Sequence, residues 1–419
     1  MKVKIGKPIL IYSPPNTPAI NQWGVYSIPK MWKEPDGSLV VRFNGEKDDG
    51  LTKQCVPNLY FISKDNGESW TLAENAENKY DLSVLMGINP PYLTCKNGEI
   101  LSVRYKDNCL PIQGVKHIKE YIQPCGASLI KVYQYGDIPD ECKGIELVRN
   151  SGKKTTINFD FPEREIAINA KGRENGEFID LPEYVQSNIF WSPYFVGMTE
   201  LDDGTLVALS HGQNPKVSDR QCEEIYMVAS TDNGESWKKR SVVATDTHKY
   251  PFGYGGDGCE ISLTKAEDGT LFCAMRMEMS TRKSHFCDTM LCYSKDNGFT
   301  WSEPKSVADS SVTPHIMALN GALVLVYGRP GVHVKVSFNN GETWSEPYTL
   351  VGKTLDECRA LGRSDYEFKY EDMDSYSNTF VEKISDDTML VLYNDLKYDD
   401  GDGKNHKAAF VRKITIEKQ

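Results

Sequence analysis

SPYFVGMTELDDGTLVALSH, Ser192 to His211, is two strand-like runs folded about one tight turn. The first run ends at Leu201, the Asp-Asp-Gly triplet supplies turn chemistry at Gly204, and a second apolar run leaves towards His211. The second half of this unit recurs along the chain. It reads PDGSLVVRF at Gly37, KNGEILSVRY at Gly98, EDGTLFCAMR at Gly269, LNGALVLVYGR at Gly321 and SDDTMLVLYN at Asp387. Six copies of one hairpin predict six blades. The expected fold is all-β, a six-bladed β-propeller of four-stranded antiparallel blades, with residues 1–419 as a single domain. The interval from Gly98 to Gly204 is far longer than the others. Residues 106–188 are therefore expected to hold the rest of blade two plus an insertion, which is either a lid or decoration. Ring closure is expected from Lys4 to Tyr12 pairing with a last strand near Lys407 to Ile416, which leaves no open edge.

A second repeat marks the outer half of the blades: SKDNGESW (Ser63 to Trp70), STDNGESW (Ser230 to Trp237), SKDNGFTW (Ser294 to Trp301) and SFNNGETW (Ser337 to Trp344). The carboxylate of such an Asp-box can take turn amides, its glycine supplies positive φ, and its tryptophan caps an apolar seam. Near-identical copies fit a stacking unit and not a unique reaction centre.

Composition agrees with many short strands, since 22 Tyr, 15 Phe, 7 Trp and 33 Gly suit sheets and tight turns better than long helices. A formal net charge of -11 argues against nucleic acid or an anionic membrane as partner. The N-terminal apolar patch, Ile9 to Ile11, is too short for a signal-peptide core or a span, so a cytoplasmic location is expected. The 11 cysteines form no CxxC pair and read as reduced fillers. The seven histidines show no paired ligand spacing, and neither a metal nor a cofactor is expected.

Hairpin topology orders the loops. If the Gly turns lie at one end of each sheet, first-strand starts and second-strand ends emerge together at the other. That end is expected to show Ser27, Tyr194, Glu260 and Tyr376 from first-strand starts. Asp48, Asp49, Arg104, His211, Arg276, Glu278 and Arg329 come from second-strand ends or the loops after them. Ionisable side chains drawn from several blades to one axis make either a ligand site or a solvated ion-pair network.

These residues resemble the sialidase (neuraminidase) superfamily over essentially the whole chain. CEISLTKAEDGTLFCAMR resembles the family segment with a leading Glu and a closing Arg, which gives Glu260 and Arg276. YGRPGVHVKVSFNNGETW resembles the segment with an arginine ahead of an Asp-box, which gives Arg329. DSYSNTFVEKISDDTMLVLY resembles the tyrosine segment, which gives Tyr376, and NGEKDDG lies where the family has its acid, which gives Asp48 or Asp49. The resemblance implies a carbohydrate substrate, a tyrosine nucleophile activated by Glu260, an aspartic acid protonating the leaving oxygen, and arginines clamping a carboxylate. One departure stands out. Where the family has Arg-Ile-Pro this chain has Ser27-Ile28-Pro29, so the first clamp arginine is absent. The short side chain of Ser27 is expected to leave a gap, which shifts the expected substrate from a sialic acid to another terminal sugar. Two other readings stay open. One is a polysaccharide lyase with His211 or Tyr376 as base and Arg276 and Arg329 on a uronate. The other is a propeller that binds glycans without turnover.

Overall fold

The computed structural model describes residues 1–47, 55–74, 92–105, 112–122, 128–143, 145–157, 159, 165–174, 177–180, 195–213, 223–245, 260–277, 288–310, 312–362 and 373–418. Among them the strands form seven sheets, all with antiparallel neighbours. Five share one plan, four strands paired in chain order. The first is Lys30–Lys33, Leu39–Phe43, Leu59–Ser63 and Thr71–Leu72. The third is Val196–Glu200, Leu206–Gln213, Glu223–Ser230 and Lys238–Thr245. The fourth begins at Ile261–Lys265 and Leu271–Arg276, the fifth at Val312–Leu319 and Ala322–Gly328. The second sheet follows the same order with Tyr92–Thr94, Ile100–Tyr105, Ile145–Arg149 and Lys154–Thr156.

The last sheet is built from both ends of the chain. Phe380–Lys383, Thr388–Tyr398 and His406–Glu417 pair in order, and Lys2–Ile5 then lies against the same final strand, Val3 opposite Ile416 and Ile5 opposite Ile414. Ile9–Tyr12 also joins that strand, Ile9 opposite Val411. The expected pairing of the two termini is thus present.

The long second interval holds a sheet of its own. Lys119–Ile122 and Ser128–Gln134 leave the second sheet between its second and third strands; Glu165–Glu174 and Glu177–Asp180 follow its fourth. The four combine as one antiparallel sheet, with Ser128–Gln134 and Glu165–Glu174 at its centre.

Apolar seams lie between successive sheets. Alternate side chains of a strand point to opposite faces, and here both faces are covered. Leu206 and Ala208 pack with Leu101 and Leu147 of the second sheet, while Val207 and Leu209 pack with Leu271 and Met275 of the fourth. Val324 and Val326 meet Val391 and Ile414, and Leu390 and Leu392 meet Leu39 and Val41. Two covered faces explain why second strands such as LVALS and LVLVY read as continuous apolar runs and not as alternation.

The Asp-boxes clamp these seams. In the first, Ser63 Oγ donates to Asp65 Oδ1 at 2.7 Å and accepts from Gly67 N at 2.8 Å, while Ser69 N donates to Asp65 Oδ1 at 2.9 Å. Gly67 has φ +82, and a Cβ there would lie 2.6 Å from Leu390 of the last sheet; at Gly234, φ +85, it would lie 2.2 Å from Leu147 of the second. These two box turns therefore lean on the preceding sheet, and their positive φ favours glycine. In the fourth box Asn339 Oδ1 still accepts from Ser337 Oγ and Thr343 N, and its Nδ2 donates to Thr343 Oγ1 at 3.0 Å. A hydroxyl can accept as well as donate, which is why asparagine is tolerated there.

Candidate active site

Antiparallel order in every sheet puts first-strand starts and second-strand ends at one end, away from the Gly turns. At the fourth sheet Arg276 closes its strand and Glu260 precedes its own, with Arg276 N donating to Glu260 O at 2.9 Å. The side chains repeat the contact, Arg276 Nη1 to Glu260 Oε2 at 3.0 Å. The same oxygen accepts from Thr313 N of the fifth sheet at 2.6 Å, so one carboxylate joins two sheets. Thr313 then leads to the last sheet, since Asn378 Nδ2 donates to Thr313 Oγ1 and Thr379 Oγ1 to Thr313 O, both at 3.3 Å.

Arg329 follows the second strand of the fifth sheet, and its Nη2 donates to Tyr376 O at 2.9 Å. Tyr376 is 5% exposed. Its backbone N donates to Asn394 Oδ1 at 2.8 Å, and Asn394 Nδ2 donates to Ser27 O at 2.5 Å, which ties the last sheet to the segment before the first. The Trp23 ring lies 4.1 Å from that of Tyr376 at 61°, and the Arg329 guanidinium lies 5.9 Å from the Trp23 ring, within cation–π range.

Backbone conformation marks the same place. Among the described residues, positive φ outside glycine and asparagine occurs at Tyr26 (55), Thr313 (44), Arg329 (73) and Ser377 (61). All four lie in this cluster. Such conformations cost about 1–3 kcal/mol each and persist only where surrounding contacts hold them. Here the hold includes Arg329 N to Gly331 O at 3.0 Å and Ser377 Oγ to the same carbonyl at 2.8 Å.

The structure thus brings Glu260, Arg276, Arg329, Tyr376 and Ser27 into one bonded group. Arg104 also sits at its strand end, but beside Glu146 of the neighbouring strand, Nε to Oε2 at 4.0 Å. His211 lies in the Leu206–Gln213 strand opposite Ile225, and its side chain is outside the described residues, as are Asp48, Asp49, Tyr194 and Glu278 altogether. The expected gap at Ser27 is not there. Ser27 is 1% exposed and its hydroxyl donates to Val25 O at 3.0 Å. The corner is filled by a residue that sequence reasoning missed, Lys407, whose Nζ donates to Ile20 O at 2.6 Å, Gln22 O at 2.9 Å and that same Val25 O at 3.1 Å. Lys407 also lies 5.3 Å from the Tyr376 ring, and burial lowers its ammonium to about 8. Nearby, Lys30 and Arg42 are cross-strand partners in the first sheet; burial, then the Arg42 charge, lower Lys30 to about 8. Loop order did not name Asn394, which lies within the second strand of the last sheet, Thr388–Tyr398. It did not reach Lys407, because third-strand starts share that end and were not considered.

A polar cavity of about 440 Å³ opens at the other end, beside the Gly37 turn, lined among others by Lys33, Glu34, Tyr92 and Glu382. It shares no residue with the group around Tyr376. Burial raises the Glu382 carboxyl to about 7, against the opposing pull of Lys33.

With this geometry fixed, similarity to known proteins can be placed on it. Residues 198–382 match the BNR repeat-like domain. That span runs from the first strand of the third sheet into the first strand of the last, and it contains three of the four boxes and all of Glu260, Arg276, Arg329 and Tyr376. A sialidase of Clostridium perfringens is 28% identical over 142 residues, 31% of this chain and 36% of that one. A sialidase of Paraclostridium sordellii is 24% identical over 197 residues, 42% of this chain and 48% of its own length. The chain resembles the sialidase superfamily over these segments. It spans between about a third and a half of the length of these two relatives. In fold it is similar to a protein of unknown function from Dyadobacter fermentans, TM-score 0.55 at 16% identity over 99% of both chains. The Ser27 segment and Arg104 lie outside the residues matched to the BNR repeat-like domain.

Proposed function

We propose that six of the sheets are the blades of one propeller and that this chain is a glycoside hydrolase acting on the terminal sugar of a glycan. The observation that carries the reading is the bonded chain from Arg276 through Glu260 and Thr313 to Asn378, two residues beyond Tyr376. A carboxylate, two guanidinium groups and a tyrosine from three sheets converge on one end, which is the donor set that cleavage at an anomeric carbon beside an acidic substituent requires. Tyr376 acts as nucleophile through its phenolic oxygen, with Glu260 as the neighbouring base. Asp48 or Asp49 donates the proton to the leaving oxygen. Contacts with the protein orient both guanidinium groups, Arg276 on Glu260 and Arg329 on Tyr376 O and the Trp23 ring, which suits them to planar recognition of an anionic or polyhydroxyl substituent.

The substrate we favour is a terminal sugar other than a simple sialoside. An ammonium has three donors, and Lys407 has given three to backbone carbonyls. The cation in the Ser27 corner is thus committed to the protein, and the clamp has two arginines.

Purified protein assayed against a panel of aryl glycosides and uronate polysaccharides tests the proposal. The expected result is release from one aryl glycoside, with weak or no release from an aryl sialoside. Sialoside cleavage with KM between about 1 μM and 1 mM would refute the substrate part. The burial of Tyr376 favours one second reading, a propeller that binds a glycan without turnover. Binding with no release would support it, and ultraviolet absorbance from an unsaturated product would indicate a lyase.

A further inference from the structure

We propose that Trp23, held in place by Lys407, forms the wall of the site beside Tyr376 and selects a sugar ring by its apolar C–H face. The proposal rests on the glycosidase reading for its substrate and on geometry for its residues. Segment 18–27 crosses the end of the last and first sheets with no strand pairing among its described residues. Three carbonyls of it, at Ile20, Gln22 and Val25, converge on one ammonium that projects from the final strand. Such a convergence fixes the curvature of the segment, and Trp23 sits inside the arc between its second and third anchors.

The ring packs against two neighbours. One is Tyr376, 4.1 Å away at 61°. The other is the small cluster of Leu355, Cys358 and Met373, the first two from the helix Leu355–Ala360 that Thr354 caps. Trp23 remains partly exposed, and the Arg329 guanidinium lies 5.9 Å from its ring. An indole fixed beside a guanidinium and a phenol offers a flat apolar surface next to polar donors. The C–H face of a pyranose fits such a surface, with its hydroxyls turned to the arginine. A carboxylate does not fit it, because a π face carries negative charge. Lys407 is a positioning residue in this scheme, and Trp23 the one that touches the ligand.

The test uses the full chain and the nitrophenyl glycoside that the wild type cleaves best. Trp23→Leu is expected to raise KM on the order of tenfold with kcat within about threefold, since it removes binding common to ground and transition states. Trp23→Phe should fall between. Lys407→Met should reproduce the Trp23→Leu change and Lys407→Arg should restore most of it, with thermal melts showing that each variant is folded. If Lys407→Met does not fold, the two Trp23 variants and Lys407→Arg decide. Unchanged KM in Trp23→Leu overturns the proposal, as does a loss confined to kcat. If the wild type cleaves no glycoside, the glycosidase reading fails but the wall is still scored by saturation-transfer NMR with free galactose, N-acetylglucosamine and N-acetylneuraminic acid. Transfer to ring C–H protons that disappears in Trp23→Leu supports it, and absence of transfer from the wild type overturns it.

Discussion

Each residue at the candidate site does two jobs, and substitutions separate them. Arg276 fixes Glu260 and Arg329 fixes the Tyr376 backbone, so Arg276→Ala and Arg329→Ala are each expected to lower kcat/KM by about tenfold or more with the fold retained. Steady-state kinetics with circular dichroism check this, and unchanged kinetics in both would remove the clamp. Glu382, at the other end, gives a stability test. Its carboxyl is raised from 4.5 to about 7, so between these values the folded state holds a proton that the unfolded state has lost. Stability from this group is present at low pH and is lost as pH rises through about 7. Glu382→Gln should abolish that dependence and be more stable than the wild type at pH 8 by roughly 1–3 kcal/mol, read from denaturant curves at pH 5 and pH 8. At this scale the sequence reveals side chains that strand periodicity and hairpin order place, such as Glu260 and Arg276. It conceals Lys407 and Trp23, because their positions depend on contacts between residues nearly the whole chain apart.

Among elements, the Asp-box turn is the one whose chemistry is most local. Hydrogen bonds hold the Asp65 carboxyl down at about 2, first from the hydroxyl and backbone of Ser69 and then from Ser63. Its folded value lies below the unfolded 3.8, so the stabilisation is present above that value and is lost as pH falls through about 2. Asp65→Asn is expected to cost about 1 kcal/mol or less at pH 7, because the side chain is exposed and an amide can take the same partners. The difference from wild type should close by pH 2, and denaturant melts across that range would show it. Asn339 already lives with this substitution. The boxes and Gly turns were legible because their bonds span only a few residues. The inserted sheet was not, since Lys119–Ile122 and Glu165–Glu174 enter one sheet from separate excursions of the second. No periodicity announces such a pairing.

For the molecule as a whole, closure and site share one strand. His406–Glu417 receives Lys2–Ile5 and Ile9–Tyr12 along its edge and carries Lys407 at its start. Deleting residues 1–12 would uncover Val411, Ile414 and Ile416, each fully buried. It is expected to destabilise the last sheet by several kcal/mol, seen as a lower Tm and as early proteolysis of the C-terminal strand. A Tm equal to that of the full chain would mean that the ring does not depend on this closure. If Tyr376 is the nucleophile, its phenolic oxygen bonds to the anomeric carbon as the bond to the aglycon breaks, and a fluorinated activated glycoside should trap that adduct. Intact-mass spectrometry followed by peptide mapping is the most direct measurement. The account predicts one added glycosyl group on Tyr376, absent from Tyr376→Phe. A glycosyl group on another residue, or turnover that persists undiminished in Tyr376→Phe, would contradict it.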